Sequence, residues 1–248
     1  MISARYGHTA SLLSTGKVLV AGGGEDGLPN AELYIPSTKS WVTVDNSSLN
    51  RVSKIATTLN NGKVLVLGSS KSNPYTTSAE LFDPITELWT KTGSMNLRHA
   101  YYQATLLNNG KVLVTGNIGA ELYDPATGRW TITGNMTIYR KYFTTTALDN
   151  GTTELWTTAR SMNTMRLDHT ATKLNNGKVM IVGGYGSGNL WSAEIYDPVL
   201  DLWESTKNAS ASRYQHAASI LSDGTVLVCG GIDMDAQFSV VNSTEIYA

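Results

Sequence analysis

Three histidines share one spacing. His8, His169 and His216 each stand eight residues before a glycine that opens an apolar run, at Gly16, Gly177 and Gly224. Three imidazoles delivered from equivalent positions towards a common axis could bind a transition metal. The same position elsewhere in the chain carries Lys54, Tyr102 and Phe143, so any such set is incomplete. A residue that recurs by register belongs first to the architecture, because a single active site needs asymmetry, and the histidines are expected to cap or pack. The same reasoning covers Arg5, Arg51, Arg98, Arg140, Arg166 and Arg213, and the glutamates Glu32, Glu80, Glu121, Glu194 and Glu245. They are read as bonds within or between structural units. The Gly-Gly pairs follow strands without opening helices and are not phosphate cradles. Neither a nucleophile elbow nor a convincing carboxylate pair appears, so the expectation is no catalytic residue, no metal and no cofactor.

The elements that position these residues repeat. STGKVLVAGG at 14–23, NNGKVLVLGS at 60–69, NNGKVLVTGN at 108–117, NNGKVMIVGG at 175–184 and SDGTVLVCGG at 222–231 align on Gly16, Gly62, Gly110, Gly177 and Gly224, spaced 46, 48, 67 and 47. A fixed period of this size marks a repeat architecture. Each copy opens with a short β-rich run such as HTASLL, turns at Asn-Gly or its equivalent and continues as KVLV, which reads as a tight hairpin. A third strand follows in AELYIP, AELFDP, AELYDP, AEIYDP and TEIYA, closed in four copies by a proline that cannot donate to a ladder. The fourth strand carries Trp41, Trp89, Trp130 or Trp203. Four strands in about 47 residues cannot cover both faces alone, so the units must stack on one another.

One copy is damaged. From Gly151 to Trp156 is 5 residues, against 25, 27, 20 and 26 from glycine to tryptophan in repeats one, two, three and five. TELWTTARSMN at 153 matches TELWTKTGSMN at 86, so the block holding strands two and three is missing just before Thr153. Repeat four is expected to keep strand one over roughly 142–148 and strand four over roughly 154–158. A disrupted gene model or splicing event accounts for this better than a tolerated deletion, since the loss would uncover the apolar faces of neighbouring units. Repeat six holds no fourth strand, and the chain reads as a piece of a longer assembly.

The double glycine after an apolar strand, the tyrosine of ELYDP, the later tryptophan and the Arg-x-x-His opening of Arg5 to His8 resemble the kelch family. The resemblance covers the whole chain and implies an all-β, kelch-type β-propeller of four-stranded antiparallel blades, about five and a half of them, incomplete or open. It implies one domain over 1–248, with repeats at roughly 1–50, 51–97, 98–139, 140–165 (truncated), 166–212 and 213–248 (lacking its last strand). SRYQHAASILSDGTVLVCGG at 212–231 is also similar to the segment of galactose oxidase and related copper-radical enzymes in which a Tyr-His pair supplies two copper ligands. Here Gln215 precedes His216 and Tyr214 falls one place too early, while the single Cys229 lies inside an apolar strand. The similarity supports propeller ancestry and speaks against a copper site. A fold of this kind fixes no activity.

What remains is a surface. Antiparallel order puts the two-to-three connections on one face, and they vary: GEDGLPN, SSKSNPYTTS, NIG, YGSGNLWS and IDMDAQFSVVNS. Variable loops on a rigid scaffold are where binding residues gather. The candidates are Glu25, Asp26, Lys71, Tyr75, Tyr185, Trp191, Asp233, Asp235 and Phe238. In 248 residues, 19 Lys plus Arg against 20 Asp plus Glu leave a net charge of -1, which marks neither nucleic acid nor an anionic membrane as partner. No apolar run approaches the roughly 18 residues of a membrane span. Sequons at Asn46, Asn135, Asn150, Asn208 and Asn242 hint at an extracellular parent. The expectation is a non-enzymatic interaction module for a protein or glycan, with self-association through open blade edges, and the alternative is the propeller fragment of a secreted copper-radical oxidase.

Overall fold

A computed structural model describes residues 1–5, 7–23, 31–44, 53–69, 77–99, 102–116, 119–134, 136–138, 140–148, 156–186, 190–233 and 239–247. The chain divides into two compact units, Met1–Met136 and Thr137–Ala248. All regular structure among the described residues is β.

The first unit holds three four-stranded antiparallel sheets. They are β1 (Thr9–Leu12), β2 (Val18–Ala21), β3 (Ala31–Ile35) and β4 (Ser40–Val44); β5 (Ser53–Thr58), β6 (Val64–Ser69), β7 (Ala79–Asp83) and β8 (Leu88–Lys91); and β9 (Gln103–Leu106), β10 (Val112–Gly116), β11 (Gly119–Asp124) and β12 (Arg129–Thr133). The second unit holds one such sheet, β13 (Thr170–Lys173), β14 (Val179–Val182), β15 (Ala193–Asp197) and β16 (Leu202–Thr206). A three-stranded sheet follows, built from β17 (Ala217–Ile220), β18 (Val226–Cys229) and β21 (Thr244–Tyr247), with a ribbon of β19 (Ile232–Asp233) and β20 (Ser239–Val240) inside its long connection. The four-stranded sheets and the three-stranded one each run with their strands in chain order, as the blades of a β-propeller do.

The one-to-two turns are three-residue loops rather than two-residue ones. Leu59 N donates to Lys63 O at 2.8 Å, and Gly62 takes φ +81 between them, a left-handed conformation that glycine adopts without steric cost. Asn61 Oδ1 accepts from Lys63 N at 3.1 Å, which explains the Asn-Gly-Lys order.

Strand two sets the packing between blades. Successive side chains alternate faces, so Val64 and Val66 of β6 pack with Leu19, Ala21 and Leu33 of the first blade. Leu65 and Leu67 turn the other way, onto Val112, Val114 and Tyr123 of the third. In the second unit Met180 and Val182 meet Val226 and Val228. A fully apolar strand two is therefore required, because both of its faces are interior. The strand-three aromatic tilts against the strand-four tryptophan in every four-stranded blade, with centroids 5.1 Å apart for Tyr34–Trp41 and Phe82–Trp89 and 4.9 Å for Tyr123–Trp130 and Tyr196–Trp203.

Repeat four departs from expectation. Residues 140–148 and 156–160 form no strand, although strands were expected over roughly 142–148 and 154–158. The repeat lacks the sequence of its own strands two and three, and extended backbone alone does not make a sheet. The segment instead leans on repeat five: Asp168 N donates to Tyr142 O at 3.1 Å, and Trp203 Nε1 donates to Arg160 O at 2.9 Å.

Candidate functional site

In repeats one, five and six the recurring arginine and glutamate form a clamp, while Arg51 lies outside the described residues and Arg140 is exposed. Arg166 Nε and Nη2 donate to Glu194 Oε1 at 3.2 and 2.8 Å, while Nη1 donates to the carbonyls of Gly183 and Ser192, both at 2.8 Å. Glu194 also accepts from Asn163 N and Thr164 N, so one carboxylate on β15 fixes the chain entering the blade. Arg5 with Glu32 and Arg213 with Glu245 repeat the arrangement. Backbone and arginine donors hold the Glu32 carboxyl below its ordinary range against the opposing effect of burial. These charges are spent on architecture, as the register implied.

Repeat three departs from the arginine register. Arg98 is exposed, and His99 takes the clamp position, buried, with Nε2 3.2 Å from Glu121 Oε1. The signal lay in the spacing, since Trp89 to Arg98 is 9 residues where other copies show 10, and His99 restores 10. Gly116 makes room for the smaller group: a Cβ there would fall within 2.4 Å of His99 Nδ1.

The histidines of the sequence pattern are divided between the two units. His8 is exposed, in the first unit. In the second, His169 Nε2 bonds Thr144 Oγ1 at 3.1 Å and His216 Nε2 bonds Thr170 Oγ1 at 2.9 Å, each imidazole reaching back to the preceding repeat. Burial, and then the neighbouring arginine charge, pushes both imidazoles down to about 4. Among the described residues no group of three or more His, Cys, Asp and Glu could hold a metal ion. Gln215, ahead of His216, turns its amide Nε2 to Asp168 Oδ2 at 3.3 Å, and Cys229 sits in the β18 ladder between Ala217 and Thr244. Tyr214 is tied by a bridge to Ile232. The donors present do not fit copper.

The two-to-three connection of repeat five presents two exposed aromatic groups. Tyr185 is 40% exposed and Trp191 55%, and Met165 from the adjoining entry segment is 71% exposed. Leu167 and Tyr185 exchange backbone bonds of 2.7 and 2.8 Å, and a Cβ on Gly186 would fall 2.2 Å from Met165 O, so loop and entry segment are in close contact. Ala209 N donates to Trp191 O at 2.7 Å, and the Tyr185 ring lies 6.4 Å from that of Tyr214. Half-buried Asp233 accepts from Ser212 Oγ through its Oδ1 at 2.6 Å. Glu25, Asp26, Lys71, Tyr75, Asp235 and Phe238 lie outside the described residues.

No protein-family profile matches the chain, and no curated protein is significantly similar to it. Among solved structures it resembles a fungal alcohol oxidase of the AA5 family, in complex with copper, at a TM-score of 0.75 and 17% identity over 93% of this chain. The chain spans 59% of the length of that protein. At this identity the likeness is one of fold: the chain has the all-β fold of four-stranded antiparallel blades seen in β-propellers of the galactose oxidase-like kind.

Proposed function

We propose that the chain is a non-enzymatic binding module that takes a protein or glycan partner on the face of the two-to-three connections, centred on Tyr185 and Trp191. The exposure of these two aromatics on one braced loop carries the reading. Aromatic side chains offer large contact area at low entropic cost and dominate the binding energy of interfaces. The titratable residues around them are committed to clamps and ladders, which leaves recognition rather than chemistry as the use of this surface.

The second reading, the propeller portion of a secreted copper-radical oxidase, is favoured by the fold likeness to an alcohol oxidase. The substitution of Gln215 beside His216 and the ladder position of Cys229 weigh against it. Glycan-array and pull-down binding of the full chain, compared with a Trp191→Ala, Tyr185→Ala variant of unchanged circular dichroism, tests the proposal. Loss of binding supports it; equal binding by the variant places the partner elsewhere.

A further inference from the structure

One carboxylate beside the repeat-five loop is the exception to this commitment of charge. Asp168 follows Leu167, whose backbone pairs with Tyr185, and it is half-buried. Among the described residues its carboxylate has one partner, the neutral amide of Gln215, whose Nε2 donates to Oδ2 at 3.3 Å. By contrast Glu194 and Glu245 meet Arg166 and Arg213, and Asp197 meets Lys178 at 3.0 Å. Those two arginines stand two residues before Asp168 and Gln215, but their charges are already answered by the glutamates, so they do not supply a cation here.

The backbone sets the same residues apart. Tyr142, Asp168 and Gln215, each two places after a recurring arginine of the second unit, hold left-handed conformations at φ +53, +52 and +54. The same place in repeat one holds Gly7, at φ +64, the residue that takes this conformation without steric cost. Asp168 N donates to Tyr142 O and Gln215 N donates to Asp168 O, both at 3.1 Å, which strings the three together. Side chains are therefore kept where glycine would be easier, and strain of this kind gathers at sites that bind or react.

We propose that Asp168 and Gln215 form a subsite for an arginine side chain of a partner protein. The subsite rests on the reading of this face as a binding surface and, within it, selects a protein over a glycan. With Nε2 turned to the carboxylate, Gln215 keeps Oε1 as an acceptor, so the pair offers oxygens and lacks positive charge. A guanidinium brings only donors, in a planar fork that matches a carboxylate. Burial pushes the Asp168 carboxyl up, against the opposing effect of the Gln215 amide, as expected of a carboxylate short of a counter-charge. The rings of Tyr185 and Tyr214, 6.4 Å apart, sit on the residues that pair with Leu167 and precede Gln215. Aromatic faces beside an acidic group suit the flat guanidinium and its alkyl stem.

Acetyl-arginine amide, titrated into the isotope-labelled full chain, should shift the NMR signals of the Gln215 side-chain amide and the Asp168 backbone amide saturably. The uncharged acetyl-citrulline amide, of the same shape, should not. Asp168→Asn preserves size and places a residue type that tolerates left-handed backbone, so circular dichroism should be unchanged while arginine binding weakens at least ~10-fold. Citrulline binding equal to arginine, absence of any saturable shift, or undiminished binding by Asp168→Asn overturns the proposal. Failure of the subsite is separable from failure of the face. A protein partner lost by both Asp168→Asn and the Trp191→Ala, Tyr185→Ala variant is the expected result; a partner that only the aromatic variant loses overturns the subsite and leaves the binding face standing.

Discussion

His99 Nε2 meets Glu121 Oε1 at 3.2 Å with both side chains enclosed, in the place where repeat five sets Arg166 against Glu194. Glu121 also accepts from Asn96 N and Leu97 N, each at 2.7 Å, so it holds the entry to blade three whether its partner is arginine or histidine. Removing a carboxylate from such a site leaves buried donors unsatisfied. Glu121→Ala should cost about 3–5 kcal/mol in urea unfolding; a loss under about 1 kcal/mol, the scale of an exposed ion pair, would show that the clamp is incidental.

Acid should destabilise the protein before its carboxylates titrate. Burial holds His99 below the ordinary imidazole value of 6.5 and pushes His169 and His216 to about 4. In the unfolded chain all three protonate near 6.5, so below that pH the unfolded state binds protons that the folded state refuses. Stability present above pH 6.5 is therefore lost as pH falls towards about 4. The urea midpoint should drop between pH 7 and pH 5, and a His169→Asn, His216→Asn variant should show a shallower drop; equal slopes would contradict this account.

The three-to-four turns differ in strain. Gly128 takes φ +68 in repeat three, whereas Lys39 takes φ +52 at the matching position of repeat one. Left-handed backbone costs a non-glycine residue about 1–2 kcal/mol, partly offset by the greater freedom of glycine in the unfolded chain. Lys39→Gly should stabilise by about 0.5–1 kcal/mol and Gly128→Ala should destabilise by about 1 kcal/mol or more, both read from thermal midpoints.

Trp203 Nε1 donates to Arg160 O, and Asp201 Oδ1 accepts from Arg160 N at 3.0 Å. These bonds tether the remnant of repeat four to blade five. Trp203→Phe keeps the ring and removes the donor, a net loss of about 1 kcal/mol. Trypsin should then cut after the exposed Arg160 several-fold faster, if local release of this segment limits cleavage; an unchanged rate would mean that the tether does not hold it.

The period and the strand order were legible because each repeats and each has a physical cause: alternation, a turn that needs left-handed glycine, a proline that ends a ladder. The clamp was half legible. Its glutamates share one register, whereas Arg98 stands one residue short of the clamp position, which the interval after Trp89 gives to His99. The fate of repeat four was not legible at all. Local sequence marks 142–148 and 154–158 as strands, but a strand in a blade depends on the strands beside it, and the sequence of strands two and three is missing from this repeat. Trp191 and Tyr185 could be assigned to a variable loop from sequence, whereas their exposure depends on how that loop folds back on Met165 and Ala209.

The most direct test of a binding module against an oxidase is copper stoichiometry in the full chain. After equilibrium dialysis against copper(II) and removal of loosely held ion, elemental analysis should find well under one copper per chain, and no radical absorption band should develop on oxidation. One tightly held copper per chain with such a band, lost in His216→Ala, would contradict the account and establish the oxidase reading in its place.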